Sequence, residues 1–464
     1  MKSNSLSIKP LLAGCLLYFF VTLACQAQRD SIKLLLEFPL IDFPFQQHAT
    51  ETRGNFIVGY ANPSMKQSLA ISNNFYNAAN YGIKKITDRI NNSSIRFLAA
   101  NGAALLFNLL TTNIPFGVAW LHEEYHRAVL TRRNINSYND VNSFPIGKNI
   151  LYVRRIKDED LIRLYNNHRP DFIRLMSAGL ESQYNQVQTL QKQNFFYNLN
   201  NPNLSIYWLH TVNNVFYVLD SSNPNGDLER DVAERNRIER DILERDFTGP
   251  DFTAWVDALF YPNKPYEARG VHPTGIGINR YITASQLTDE ARQYLQRQAA
   301  LQVVNLFSPH MFGIRRIKLK KTEVGNYYGN FAFRHILTSF GVDACLDIFY
   351  QTPRNNLFFS LHRYHNYKNA FFGIEGAIID KPLLSNRILF CGRTMIWSQP
   401  ENQSFYTSKA ALGGLISIKG TYQTHKWFSP YIEIEAKTKG WVMGNPFIDE
   451  NVSVVTGIAV RLRK

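Results

Sequence analysis

The chain has 464 residues, with 51 Lys and Arg against 37 Asp and Glu, which gives a formal net charge of +14. Hydrophobic residues make up 45% of it and charged residues 19%, which excludes an intrinsically disordered chain, and its 26 Gly and 19 Pro exclude a collagen-like one. A mean hydropathy of −0.24 argues against a membrane protein built of many helices. The basic residues are spread out without a dense block, so we expect no nucleic-acid partner.

The N-terminus has the pattern of an export signal. Lys2 and Lys9 come before an apolar run over residues 11–24, and small residues then form a signal-peptidase site. We therefore expect residues 1–27 to be a signal peptide and the mature chain to begin at Gln28.

A lipoprotein is the alternative, because Leu12-Ala13-Gly14-Cys15 spells a lipobox, although the apolar run before it is short. Cleavage after residue 27 leaves Cys345 and Cys391. Two cysteines are too few for a disulfide scaffold and can form at most one bridge.

The chain changes character near residue 315. Before that point the apolar residues follow a helical period, which predicts helices over residues 97–121, 171–197, 203–220, 227–247 and 288–305. The uncharged segment 97–121 is expected to be a buried core helix, and the Glu-Arg repeats of 227–247 indicate a solvated one. Thr288 is the expected N-cap of the last helix.

After about residue 325 the period changes to two, which predicts about eight strands of roughly ten residues between 327 and 463. The fold class is therefore α+β, with a helical domain over 28–315 and an antiparallel β-domain over 316–464. The apolar face of these strands includes Ile432, Ile434, Val454, Ile458 and Val460, and the polar face includes Lys419, Glu433, Glu435 and Arg461.

This alternation on an exported chain resembles the β-barrels of Gram-negative outer-membrane proteins. The resemblance implies a closed barrel of about eight strands with apolar side chains toward lipid and polar ones toward the lumen. Trp397, Trp427 and Trp441 would then belong to an interfacial girdle. The chain ends in Leu462-Arg463-Lys464, without the terminal aromatic residue usual in such barrels. The alternative is a water-soluble β-domain whose apolar face is its core.

The segment His122-Glu123-Glu124-Tyr125-His126 matches the pattern His-Glu-x-x-His. On a helix both histidines share one face and can bind one Zn²⁺, while Glu123 can act as the general base toward a water molecule. Here the chain resembles the zincin metallopeptidases over about ten residues. Glu124 and Arg127 are charged at positions where zincins commonly have uncharged residues.

A catalytic zinc site needs a third protein ligand. Residues 127–133 lack the metzincin continuation, and in glutamate-zincins the third ligand is a Glu on a later helix. Glu181 fits this role, because the small residues at 177–179 would let its helix approach the first. Weaker alternatives are His168, His210 and His272, and Tyr184 is a candidate to stabilise an oxyanion.

The sequence thus predicts a zinc-dependent peptidase of the cell envelope, with outer-membrane lipid and a peptide substrate as partners and a helical domain facing the periplasm. An intramembrane protease would use residues 97–121 as a membrane span, but no second motif of that class follows. The remaining alternative is a non-enzymatic outer-membrane protein whose helical domain is a plug or an interaction module.

Overall fold

The computed structural model describes residues 32–48, 62–147, 151–224, 226, 230, 234, 237–384, 387–424 and 427–463, and within them the chain is an α+β protein. The expected signal peptide lies outside the described residues. The helices with described bounds are α1 Phe45–His48, α2 Met65–Thr87, α3 Ser93–Leu110, α4 Val118–Arg132, α5 Asp158–Asn167, α6 Arg169–Tyr197, α7 Leu204–Asp220, α8 Asp251–Phe260 and α9 Asp289–Leu301.

Ten strands form one antiparallel sheet in the order β1-β12-β11-β10-β9-β8-β7-β6-β5-β4. They are β1 Ile32–Phe43, β4 Ile317–Thr322, β5 Gly325–Thr338, β6 Gly341–Gln351, β7 Asn356–His365, β8 Ala370–Leu383, β9 Ile388–Pro400, β10 Ala410–Tyr422, β11 Phe428–Lys437 and β12 Asn451–Arg463. A separate ribbon pairs β2 Tyr138–Asn139 with β3 Val153–Arg154. Strands β5 to β12 confirm the eight predicted between 327 and 463.

The predicted closure of eight strands into a barrel is wrong. Two further strands extend the sheet, and its edge strands β1 and β4 do not pair with each other within the described chain. The predicted helical part, 28–315, also contains β1, which pairs with β12 across more than 400 residues of sequence, from Leu36 opposite Val460 to Phe43 opposite Val454. The sheet therefore draws strands from both ends of the chain.

The free edge of β1 is covered by α2. The Asn74 carboxamide accepts a hydrogen bond from the Glu37 N–H at 2.9 Å and donates one to the Glu37 carbonyl at 2.7 Å, as a neighbouring strand would. Gln67 donates to the carbonyls of Pro39 and Leu40. Side chains of a helix thus satisfy backbone groups that a closed barrel would pair with another strand.

The two faces of the sheet have the predicted composition. Ile432 and Ile434 stand 48% and 50% exposed on the outer face, whereas Glu433, between them, forms an ion pair at 2.9 Å with Lys66 of α2. Further ion pairs on the inner face are Lys419–Glu37, Arg393–Glu375, Arg334–Asp347 and Arg461–Asp380. The predicted girdle is wrong for Trp397 and Trp441, which are each 1% exposed, and only Trp427 of the three is exposed.

Helix α6 lies against the inner face of the sheet and is buried on nearly all sides. Its Glu181 accepts a hydrogen bond from the Gly444 N–H in the β11–β12 loop, and near its end Gln351 of β6 donates to the Phe196 carbonyl. At about 1.5 Å per residue, its 29 residues extend about 43 Å. The contacts at Glu181 and Phe196 therefore place the second half of α6 between the two ends of the sheet, and its first half extends beyond it.

The expectation that residues 97–121 form a buried core helix is wrong. The helix ends at Leu110, and residues 111–117 form turns before α4 begins. Helix α3 has the length and composition of a membrane span, and only 11% of it is buried. Its exposed large apolar side chains are Ile95, Phe97, Leu98, Leu105, Leu106, Leu109 and Leu110.

A chain of contacts through α3 connects the two edges of the sheet. Helix α2, which covers β1, packs on α3 through Phe75 and Phe107. Asn108 of α3 donates to Ser205 of α7, and Trp208 of α7 donates to the Met311 carbonyl. The segment 302–312 then covers β5, where the Phe333 N–H donates to the Phe307 carbonyl and the Ser308 hydroxyl to the Phe331 carbonyl. Helices thus occupy the gap between the sheet edges.

The helices predicted at 171–197, 203–220 and 288–305 are confirmed as α6, α7 and α9 with its 3₁₀ extension. The Thr288 hydroxyl caps α9 by accepting from the Ala291 N–H. The helix predicted over 227–247 does not extend through its second half, since residues 239–247 form turns, and most of its first half lies outside the described residues. Cys345 and Cys391 are free thiols.

Candidate metal centre

The His-Glu-x-x-His segment lies on α4, as predicted. The preceding turn is tight: Phe116 has a φ of 72°, and a Cβ on Gly117 would lie 2.0 Å from the Thr111 carbonyl oxygen. The chain can therefore turn here only with a glycine, and α4 starts at the next residue. His122 and His126 fall one helical turn apart on one face, with ring centroids 4.8 Å apart.

The third potential ligand is Asp251, the first residue of α8. Its Oδ2 lies 3.4 Å from His122 Nε2 and 3.4 Å from His126 Nε2. Ligand atoms bound to zinc at about 2.0–2.1 Å in tetrahedral geometry are about 3.3–3.4 Å apart, so these separations fit one zinc ion. One atom from each of the three side chains lies within 4.8 Å of the others.

Both imidazoles have outer partners that orient them. His126 Nδ1 lies 2.6 Å from the Leu175 carbonyl of α6, and since a carbonyl can only accept, Nδ1 carries the hydrogen and Nε2 faces Asp251. Gln183 Nε2 lies 3.3 Å from His122 Nδ1, while Gln183 Oε1 is buried without a hydrogen-bond partner. Exchanging the amide nitrogen and oxygen would let His122 Nδ1 donate to Oε1 and leave Nε2 to face Asp251, as in His126. Such partners are typical of metal-bound histidines.

Asp251 is held by Tyr217 of α7. The Tyr217 hydroxyl donates to Asp251 Oδ2 at 2.8 Å and also accepts from the Asp251 N–H at 3.4 Å. The helices α4, α6, α7 and α8 thus all contribute to positioning this centre. Leu175 contacts His126, Gln183 contacts His122, and Tyr217 contacts Asp251.

Close packing of α6 on α4 depends on Gly179. A Cβ built on this glycine would lie 2.1 Å from His122 Nε2 and 2.2 Å from Cε1. Of the small residues at 177–179 that were expected to let the helices approach, Gly179 lies at this contact. Only a glycine leaves space for the imidazole in this position.

Three carboxylates lie in or beside the centre, and their electrostatics differ. Burial raises the pKa of Glu123, and the neighbouring histidines only partly oppose this. Burial, followed by the charges of Asp251 and Glu123, raises the pKa of Asp246 well above its usual range. For Asp251, burial acts upward, but His126 and His122 together hold its pKa below the usual range. Asp251 is thus the carboxylate most readily ionised, as a metal ligand must be.

The charged residues that are unusual in the motif neutralise each other. Arg127 donates to both carboxylate oxygens of Glu124, at 2.9 and 2.8 Å, and Asn139 donates to the same carboxylate at 2.8 Å. Glu124 lies two residues from each histidine, and Arg127 directly follows His126. Both side chains therefore point away from the side of α4 that carries the imidazoles. They form a buried ion pair that leaves the centre unchanged.

Glu181, the predicted third ligand, lies elsewhere. Its carboxylate accepts from Arg174 at 2.6 Å, from the Gly444 N–H at 2.8 Å and from Trp441 Nε1 at 3.3 Å. It does not belong to the group formed by the two histidines. The physical reason is the helical period, since Gly179 faces His122 and a residue two positions later points to another side of α6.

The weaker candidates are also placed outside the centre. His210 contacts Gln186 at 2.8 Å, His272 contacts Thr274 at 2.9 Å, and the Tyr184 hydroxyl donates to Gln302 at 2.5 Å. His168 precedes α6 at its N-cap position. Sequence reasoning missed Asp251. The signal that could have drawn attention to it is its position directly after Pro250 and before an apolar run, which is typical of the first residue of a helix.

A second group of potential ligands, Asp343, Cys345 and His362, lies on the inner face of β6 and β7. His362 Nδ1 is 2.8 Å from Asp343 Oδ2, and its Nε2 is 4.0 Å from Glu375 Oε2. An imidazole that bridges two carboxylates accounts for this arrangement without a metal, so we assign none there.

Comparison with known proteins returns no match: no family model, no curated protein and no solved structure is significantly similar to this chain. The chemistry of the centre therefore depends on its own residues. Two imidazoles, one carboxylate and an adjacent buried glutamate are a donor set that fits a catalytic zinc ion.

Proposed function

We propose that this protein is a zinc-dependent metallopeptidase of the cell envelope, held in the outer membrane by its sheet. The observation that carries the catalytic part is the convergence of His122 Nε2, His126 Nε2 and Asp251 Oδ2 beside Glu123. Three protein ligands leave the fourth position of a tetrahedral zinc open, as catalytic sites require. Peptide hydrolysis is the reaction that a His-Glu-x-x-His helix typically supports.

Each residue of the centre has a distinct role in this proposal. When bound, zinc supplies a Lewis acid that polarises a peptide carbonyl and acidifies a water molecule. Glu123 takes a proton from the attacking water at a carboxylate oxygen and delivers it to the departing amine nitrogen. Tyr217 holds the Asp251 carboxylate in place through its 2.8 Å hydrogen bond, and is therefore a positioning residue.

Metal content and activity of matched variants test the roles. Purified protein should contain about one zinc per chain. Glu123→Gln should keep that zinc and lose hydrolysis, because the glutamate is a base and not a ligand, whereas His126→Ala should lose both. His168→Ala is the matched control and should retain both. Zinc-free wild-type protein, or full activity in Glu123→Gln, would refute the assignment.

The membrane part of the proposal rests on which face of the sheet is apolar. In a soluble β-domain the apolar face packs in the core and the charged face meets water. Here the charged face packs inward on α2 and α6, and the outer face carries large exposed apolar side chains, the arrangement of a sheet in lipid. They are Phe38, Ile41, Phe43, Phe331, Phe333, Leu361, Phe372, Ile374, Ile396, Leu412, Ile418, Tyr422, Phe428, Ile432, Ile434 and Val452.

The helices in the gap support the same environment. Besides the apolar face of α3, helix α7 exposes Trp208, Val212, Phe216 and Leu219. An open sheet edge in lipid would leave backbone groups without partners, at a cost of several kcal/mol each. Asn74 and Gln67 satisfy such groups on β1, and residues 305–308 do so on β5. The proposed lipid-facing wall therefore consists of ten strands and the helices between their edges.

Fractionation tests the membrane part independently of zinc. The protein should stay with outer membranes after a high-salt or carbonate wash, because its contact with lipid is apolar. Release into the soluble fraction would refute the lipid-facing wall and would leave the zinc assignment intact.

The second candidate is a non-enzymatic outer-membrane protein in which the helices act as a plug. The observation that favours it is the position of α6, which packs against the inner face of the sheet and accepts hydrogen bonds near both ends of the sheet, at Glu181 and at Phe196. Folded, membrane-bound protein without bound zinc would support this candidate over the peptidase.

A further inference from the structure

The two ends of the sheet differ in what connects the strands. At one end, which we call the terminal end, β1 begins at Ile32 and β12 finishes at Arg463. The β6–β7, β8–β9 and β10–β11 connections also lie there, and they are short: residues 352–355, 384–387 and 423–427. Both ends of the described chain therefore meet at the end with uniformly short turns.

The opposite end, which we call the helical end, carries two short turns, β5–β6 at 339–340 and β7–β8 at 366–369, and also the two longest connections between neighbouring strands of the sheet. Residues 401–409 join β9 to β10, residues 438–450 join β11 to β12, and the chain enters the helical part from β1 here. Tyr406 in the first of these loops donates to the Phe260 carbonyl of α8, and Arg132 of α4 pairs with Asp449 in the second at 2.9 Å. The helices that carry the metal centre thus pack against loops of the helical end.

Outer-membrane β-barrels keep short turns in the periplasm and longer loops outside the cell, and the sheet proposed here to lie in the same membrane has the same antiparallel hairpin connections. We apply this rule to the two ends of the sheet and propose that the helical end faces the cell exterior. This proposal rests on the membrane part of the proposed function. The metal centre then acts on peptides or proteins in the surrounding medium, which need not cross the outer membrane. This orientation is opposite to the periplasm-facing helical domain expected from the sequence.

Two cysteine substitutions on exposed turns distinguish the orientations. Lys439→Cys lies in the β11–β12 loop of the helical end, and Arg387→Cys lies in the β8–β9 turn of the terminal end. Wild-type protein is the control for background, since its free Cys345 is buried and its Cys391 is partly buried on the inner face. Each variant is treated with a membrane-impermeant maleimide in intact cells, in cells with permeabilised outer membranes, and after denaturation.

The exterior orientation predicts that Lys439→Cys is labelled in intact cells as completely as in permeabilised ones. Arg387→Cys should remain at background in intact cells and reach the same level only after permeabilisation. The reverse pattern would overturn the proposal, and equal labelling of both in intact cells would show that the sheet does not span the membrane. Labelling after denaturation and zinc content per chain verify that each variant is present and folded.

Hydrolysis by intact cells tests the substrate side. Cells that express the wild-type protein should cleave a peptide too large to cross the outer membrane, and cells that express Glu123→Gln should not. If the purified enzyme is active but intact cells cleave the peptide only after permeabilisation, the orientation is wrong and the peptidase assignment stands. If purified protein lacks both activity and zinc, the proposed peptidase function is wrong. The maleimide pattern reports orientation independently of that result.

Discussion

Gly179→Ala is the substitution whose effect follows most directly from the geometry of the centre. The new Cβ would lie 2.1 Å from His122 Nε2, whereas ordinary van der Waals contact begins at 3.4 Å, so the imidazole must move by about 1.3 Å. Zinc–ligand distances are held to within about 0.2 Å, so a displaced His122 cannot remain a ligand. We expect zinc affinity to fall at least about 100-fold, or about 2.7 kcal/mol.

The fold should survive this change. The clash is with a side chain that is 14% exposed and can rotate, and alanine favours the helix by up to about 1 kcal/mol over glycine. Gly82→Ala on α2 is the matched control, because a Cβ there meets nothing within 4 Å. The control should bind zinc normally and gain about 0.5–1 kcal/mol in stability.

The measurement is competition for zinc against a chromophoric chelator, together with thermal unfolding of the metal-free proteins. Gly179→Ala should lose zinc while its metal-free unfolding stays cooperative. Wild-type zinc affinity in Gly179→Ala would refute the placement of His122 as a ligand packed against this glycine.

Three further predictions concern the ligand set, the membrane face and the buried carboxylates. Asp251→Asn should lose zinc but stay folded. Glu181→Gln should keep zinc and destabilise the protein by about 3–5 kcal/mol, because it leaves buried Arg174 without its carboxylate. Zinc content and denaturant unfolding are the measurements, and the opposite pattern would restore Glu181 as the ligand. Ile434→Arg should destabilise the lipid-embedded protein by about 2–4 kcal/mol if the residue lies near the bilayer midplane, and unchanged unfolding in liposomes would count against the lipid-facing wall. Burial, with the charges of Asp251 and Glu123, raises the pKa of Asp246 in the folded state. Above the ordinary pKa of an aspartate, the folded protein therefore keeps a proton on Asp246 that the unfolded chain has released. Stability from this group is therefore lost as pH rises, and Asp246→Asn should raise the Tm of zinc-free protein by an amount that grows above about pH 4; a pH-independent difference would contradict the raised pKa.

Much of the local structure could be predicted because it depends on period alone. Helices α6, α7 and α9 and strands β5 to β12 each keep one apolar pattern along their length, and backbone geometry converts that pattern into a helix or a strand. The same reasoning places His122 and His126 on one face of α4, since four residues make about one helical turn. It also assigns Ile434 and Glu433 to opposite faces of the sheet.

Only the tertiary structure decided how these elements combine. Asp251 joins His122 across 129 residues of sequence, and β1 joins β12 across more than 400, through packing that no local period encodes. Helix α3 and Trp397 show the same limit: an apolar pattern fixes which side chains share a face, but not whether that face meets a core or the exterior. Glu181 and Asp251 are both acids on helices, and their roles differ because Gly179 turns one side of α6 toward His122 and thereby directs Glu181 toward Arg174.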